Sequence, residues 1–123
     1  MSEILIKNAR IVNEGKIFKS DLLINENLIS EISKDIPIKD HYKIISAENK
    51  VLIPGVIDDQ VHFREPGLTH KATINSESKA AVAGGITSYI EMPNTIPQTT
   101  TLKALEDKIE LAKNNSYANY SFM

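Results

Sequence analysis

The stretch Asp58-Asp59-Gln60-Val61-His62-Phe63-Arg64-Glu65-Pro66-Gly67 decides how this chain is read. It follows Val51-Leu52-Ile53-Pro54-Gly55-Val56-Ile57, where Pro54-Gly55 ends one extended run and begins another. A strand is therefore expected from about Val56 toward His62. Alternate residues of a strand share a face, so Asp58, Gln60, His62 and Arg64 point one way and Ile57, Val61 and Phe63 the other. A strand in a parallel sheet is normally apolar on both faces, and a polar face at its end asks for a reason. Two readings compete. Either the strand ends at Ile57 and a solvated loop follows, or this face lines a site at the carboxyl end of a barrel strand, where α/β barrels keep their chemistry. A His flanked by carboxylate and amide groups suits a metal ligand, although a lone His is more often structural.

Downstream, strands and helices alternate. A helix is predicted from about Ile74 to Ala83, with Ile74, Ala81 and Val82 on one face and Gly84-Gly85 as its stop. Thr87 to Met92, rich in β-branched and aromatic residues, reads as a second strand. A second helix spans about Leu102 to Lys113, with Leu102, Leu105, Ile109 and Ala112 at helical spacing. Tyr117 to Phe122 reads as a third strand. This βαβαβ order implies parallel strands with right-handed crossovers. The second strand ends in Glu91-Met92-Pro93-Asn94-Thr95, again polar. Neighbouring parallel strands lie about 4.8 Å apart, which brings Asn94 up beside His62 and Arg64. Asn94 also suits a turn after Pro93; paired with Arg64 it would make a carboxylate clamp.

Upstream, apolar clusters at Ile4–Ile6, Ile11–Val12, Leu22–Ile24, Leu28–Ile32 and Lys43–Ile45 are punctuated by Asn13-Glu14-Gly15, Asn25-Glu26-Asn27 and the region of Pro37. Such punctuation reads as a β meander and part of a small sandwich. The expected organisation is a partial β domain over 1–54 and an α/β segment over 55–123.

Composition is that of an ordinary globular chain: 123 residues, 41% hydrophobic, 24% charged, net charge −2. Mild acidity argues against nucleic acid or an anionic membrane surface as partner. No cysteine is present, so any metal would be held by nitrogen and oxygen ligands. No apolar run approaches the roughly 20 residues of a membrane span, and the start MSEILIKNAR lacks a signal-peptide core. A cytoplasmic location is the expectation.

The runs PGVIDDQVHFREPGLTHK and AAVAGGITSYIEMPNTIP resemble the opening of a class I dihydroorotase, a cyclic amidohydrolase. The family pattern is roughly PG-x-I-D-x-H-V-H-x-R-E-P-G, then A-A-x-A-G-G-x-T, then M-P-N-T-x-P. The resemblance covers essentially the whole chain. It implies a TIM-barrel hydrolase preceded by a small β-sandwich domain, and reversible hydrolysis of dihydroorotate to carbamoyl-aspartate in pyrimidine synthesis. It implies Zn2+ as cofactor, with His62 as a ligand, and Arg64 and Asn94 as the grip on the substrate carboxylate. Allantoinase-like relatives lack both of those equivalents. The family's bridging carbamylated lysine, two further histidines and proton-shuttling aspartate have no counterparts here. A small-molecule substrate is expected, with homo-oligomers possible for a full-length enzyme.

Two departures stand out. Gln60 replaces the first His of the family's His-x-His, and an amide oxygen is a weaker, neutral zinc ligand; some bacterial members also read Gln-Val-His. A barrel of eight strands typically takes about 250 residues, whereas three barrel strands are expected here. The missing ligands would lie on later strands, and the segment alone is expected to be inactive and poorly stable. Lys71 lies in the first loop, and His41 and His70 read as surface residues. Gln60 also keeps open a different reading: a non-catalytic homologue serving as a structural or assembly partner.

Overall fold

A computed structural model describes residues 3–123. Met1 and Ser2, the first two residues of the expected β domain, lie outside the described residues. The chain forms two compact units, the first ending at Pro54 and the second running Gly55–Met123.

In the first unit, β1 (Glu3–Asn13), β2 (Lys16–Asn25), β3 (Leu28–Ser33), β4 (Tyr42–Ser46) and β5 (Val51–Leu52) form one sheet. The tight turns are legible in the residues that carry them: Glu14, Gly15 and Glu26 take positive φ between the paired strands. β1, β2 and β3 are antiparallel neighbours, as a meander requires. β4 and β5 depart from it. Both return beside β1 in parallel register, so the sheet is mixed, with order β3-β2-β1-β4. Leu5, Leu23, Ile36 and Tyr42 form one buried cluster, and Ala9, Ile11 and Ala47 another.

The register of β1 slips between Ile6 and Ala9, and the slip is built around Asp21. Its carboxylate, 1% exposed, accepts the Lys7 ammonium at 2.6 Å, the Asn8 N–H at 2.8 Å and the Ile36 N–H at 3.0 Å. Asn8 sits at φ 60, the left-handed region that Asn tolerates better than most residues. Lys7 also reaches Asp35 at 2.9 Å.

The second unit contains β6 (Val56–Val61), α1 (Ile74–Ala83), β7 (Ile86–Glu91), α2 (Leu102–Asn115) and β8 (Asn119–Phe122). The three strands are parallel in the order β6-β7-β8, giving an α/β unit. Thr73 caps α1 through a reciprocal capping box with Ser76. At the other end Gly84 is still helical, and Gly85 takes the left-handed turn at φ 90. Thr101 caps α2. Val61, Phe63, Ile74, Tyr89 and Ala112 make the core. No helix among the described residues is long and apolar enough to cross a membrane.

Two helix faces differ from expectation. On α1 the buried residues are Ile74 and Ser78, while Val82 is exposed. Ser78 is drawn in because its hydroxyl accepts the Tyr117 N–H at 3.1 Å. On α2 the buried positions are Lys108 and Ala112, while Leu102 is 80% exposed and Ile109 is also exposed. The inward face therefore passes through Leu105, Lys108 and Ala112, one notch round from the all-apolar stripe.

Burial pushes the Asp21 carboxyl up, but Lys7 and the Asn8 and Ile36 N–H groups outweigh it and hold it below its ordinary 3.8. A depressed folded-state value adds stability that is present above the unfolded value and lost as pH falls through the folded one. Asp21→Asn should therefore lower the Tm at pH 7, and the gap from the parent should close below about pH 4. Thermal unfolding followed by circular dichroism from pH 7 to pH 2 checks this; a gap unchanged over that range contradicts it.

Candidate functional site

Parallel pairing places the carboxyl ends of β6 and β7 on one edge of the sheet. His62 follows β6 directly, and Asn94 stands three residues past β7. Their side chains meet, with Asn94 Nδ2 2.9 Å from His62 Nδ1. The alternation expected for β6 holds only at its exit: Val61 and Phe63 are buried against Ile74 and Tyr89, whereas Gln60 and His62 face out. Ile57, expected on the apolar side, is 67% exposed, and the register against β7 slips between Asp58 and Val61. The alternation does not extend to Arg64. β6 ends at Val61, and Arg64 takes φ 72, a left-handed conformation costing a non-glycine residue about 1 kcal/mol.

What holds Arg64 there is Glu91, the last residue of β7. Its Oε1 accepts the Arg64 N–H at 3.1 Å, and its Oε2 lies 2.9 Å from the Lys108 ammonium, both side chains being 0% exposed. The Lys108 contact is a charge contact without hydrogen-bond alignment, and Oε2 has no other partner among the described residues. Burial pushes the Glu91 carboxyl above its ordinary range, opposed by Lys108 and by the Arg64 and Phe63 N–H groups. Lys108 also donates a long 3.4 Å bond to the Met92 carbonyl and lies 4.9 Å from the Phe122 ring centroid.

The two loops beyond the strands are braced from within. Glu65 Oε2 accepts the Ile74 N–H at 2.7 Å, where a carboxylate also meets the positive end of the α1 dipole. Glu65 is thereby committed to the scaffold. The Pro66 carbonyl accepts the Ile96 N–H at 3.1 Å, tying the first loop to the second. Gly67, at φ 83, lies so close to Ile96 that a Cβ would overlap its carbonyl. In the second loop Pro93 O accepts the Thr95 and Thr99 N–H groups, and Thr95 Oγ1 donates to Pro97 O at 2.8 Å.

The structure thus brings His62 and Asn94 into contact, and ties Arg64 to the same strand ends through its backbone. The guanidinium of Arg64, a half-buried residue, and the side-chain amide of Gln60, an exposed one, make no hydrogen bond or ion pair among the described residues. His41 is exposed and pairs with Glu3 at 2.7 Å; His70 and Lys71 are exposed in the first loop. The Glu91–Lys108 pair was not among the sequence expectations. Their signal was a lysine at helical spacing between Leu105 and Ala112, on a face otherwise apolar.

Among the described residues no three His, Asp, Glu or Cys side chains converge as a metal would need. Zinc takes four ligands, and His62 offers one imidazole and Gln60 one neutral amide. The donors of this chain do not by themselves fit a metal.

A family model described as "Dihydro-orotase-like" matches residues 49–119. A dihydroorotase from Methanosarcina acetivorans is 40% identical over 120 residues, which cover 98% of this chain and 26% of that protein. A dihydroorotase from Carboxydothermus hydrogenoformans is 53% identical over 95 residues, covering 76% of this chain and 22% of the relative. Among solved structures, the L-hydantoinase (dihydropyrimidinase) from Arthrobacter aurescens superposes with a TM-score of 0.92 at 32% identity, covering 99% of this chain and 27% of its own. The chain spans about a quarter of the length of the relatives it matches.

Gly67→Ala should cost about 2 kcal/mol or more, since it meets both a positive φ and the Ile96 carbonyl. Chemical denaturation of the variant reads this directly; a loss below about 0.5 kcal/mol would show that the loops do not need this contact.

Proposed function

The chain belongs to the dihydro-orotase-like family, and on that premise we propose that it is the amino-terminal segment of a dihydroorotase. In this reading β6-α1-β7-α2-β8 opens a TIM barrel, and the first unit is part of a small β-sandwich domain. The substrate is dihydroorotate, interconverted with carbamoyl-aspartate in pyrimidine synthesis by a cytoplasmic enzyme.

The observation that carries this reading is the shared edge. Arg64 and Asn94 leave adjacent parallel strands at the same end, and the Arg64 guanidinium has no partner among the described residues. A planar guanidinium beside an amide donor suits a carboxylate, the group that sets dihydroorotate apart from an uncharged cyclic amide. Asn94 Oδ1 is buried and has no partner among the described residues. An amide and its 180° rotamer have nearly the same shape. In the rotated form Oδ1 accepts from His62 Nδ1–H.

Fixing the proton on Nδ1 leaves His62 Nε2 with a free lone pair, the arrangement in which a second-shell partner prepares an imidazole to ligate. Zinc is the metal we assign to the whole enzyme, with His62 as one ligand and the remaining ligands outside this chain. Gln60 stands as the neutral alternative donor. The non-catalytic reading is not the one we adopt, because the relatives named above are dihydroorotases.

The test is turnover by the intact gene product that carries this segment. Hydrolysis of dihydroorotate should far exceed that of unsubstituted hydantoin. Arg64→Met should lower kcat/KM for dihydroorotate by about 10- to 100-fold, the weight of one charged hydrogen-bonded contact, while leaving any hydantoin turnover nearly unchanged. Preference for hydantoin in the parent, or equal losses on both substrates, would contradict the reading.

A further inference from the structure

Glu91 and Lys108 have no role in the reaction proposed above, yet they form a fully buried ion pair directly beneath the edge that carries it. Buried pairs of this kind give little net stability over apolar residues of similar volume, because desolvation offsets most of the attraction. Their effect is better sought in the geometry they impose. Here the geometry is specific. Glu91 Oε1 accepts the N–H of Arg64, whose φ of 72 is one that arginine rarely adopts. Lys108 fixes that carboxylate from α2 at 2.9 Å, and the same ammonium reaches the carbonyl of Met92, two residues before Asn94. The Met92 N–H in turn donates to Val61 O at 3.0 Å, closing the gap between the strand ends.

The geometry points to Glu91 and Lys108 as positioning residues: the pair holds the Arg64 peptide in its left-handed conformation and so sets the direction in which the guanidinium leaves the strand edge. The inference rests on the proposed role of Arg64 toward a substrate carboxylate. Without an acceptor at Oε1 the part-buried Arg64 N–H loses its partner, and the residue relaxes toward negative φ. That rotation turns the Cα–Cβ bond and redirects the guanidinium. Neither Glu91 nor Lys108 touches the substrate in this scheme; both act through Arg64.

The test uses the intact gene product and the double variant Glu91→Met/Lys108→Met, which replaces the pair with apolar side chains of similar length. The Tm should stay within a few degrees of the parent, as expected where a buried pair is replaced by apolar groups. The Arg64 amide should exchange at least about tenfold faster by hydrogen exchange, with the Tyr89 amide in β7 unchanged. KM for dihydroorotate should rise about tenfold with kcat within about twofold. A merely structural pair predicts the opposite: once stability is retained, Arg64 exchange and KM match the parent, and that result overturns the inference.

If the double variant does not fold, Glu91→Asp keeps the charge but withdraws the carboxylate by one methylene. It should raise Arg64 exchange and KM in the same way, and parent-like values would equally overturn the inference. A parent protein inactive on dihydroorotate would sink the proposed function alone, since Arg64 amide exchange decides the positioning claim without turnover.

Discussion

A carboxylate with no exposed surface sits at the end of β7, and the arrangement of both neighbouring loops depends on how its charge is met. Isolated in a low-dielectric interior, such a group would cost several kcal/mol or take up a proton. Glu91 is instead met by an ammonium from α2 and by backbone N–H groups from the residues that follow β6. One buried group thus joins a helix, a strand end and the first loop. An apolar residue at 91 could fill the space, but it would leave the Arg64 N–H unsatisfied.

Seen from this constraint, the long motif after β6 divides into two kinds of residue. Glu65, Pro66 and Gly67 are scaffold: one binds the first N–H of α1, one receives the Ile96 N–H, and one allows the two loops to touch. Thr95 and Thr99 do the same for the second loop, sharing the Pro93 carbonyl and a 3.1 Å contact between their hydroxyls. The residues left over, His62, Arg64 and Asn94, are those whose polar ends are not consumed by the scaffold. That division is why the same few residues are available to chemistry while their neighbours are not.

Much of this was legible in the residues themselves. The period-2 pattern of Val61 and Phe63 against Gln60 and His62 correctly placed an apolar side and a polar side on the strand exit. Parallel pairing then forced Asn94 to the same edge. Local signals also served well where the chemistry is local, as at the Gly84-Gly85 stop of α1 and the Asn13-Glu14-Gly15 turn. Other features depend on partners distant in sequence and left little local trace. The parallel return of β4 beside β1 is a choice of neighbour that strand propensity does not encode. Ser78 is inside because of Tyr117, and Lys108 because of Glu91; taken alone, each reads as a solvated residue. The left-handed Arg64 is of the same kind, since only the acceptor on the next strand makes that conformation tolerable.

We propose that this strand edge recognises a carboxylate through Arg64 and Asn94. The most direct measurement is a crystal structure of the intact gene product soaked with carbamoyl-aspartate. A substrate carboxylate should lie within hydrogen-bonding distance of both the Arg64 guanidinium and the Asn94 amide. A ligand whose carboxylates are held elsewhere, with Arg64 and Asn94 untouched, would contradict it.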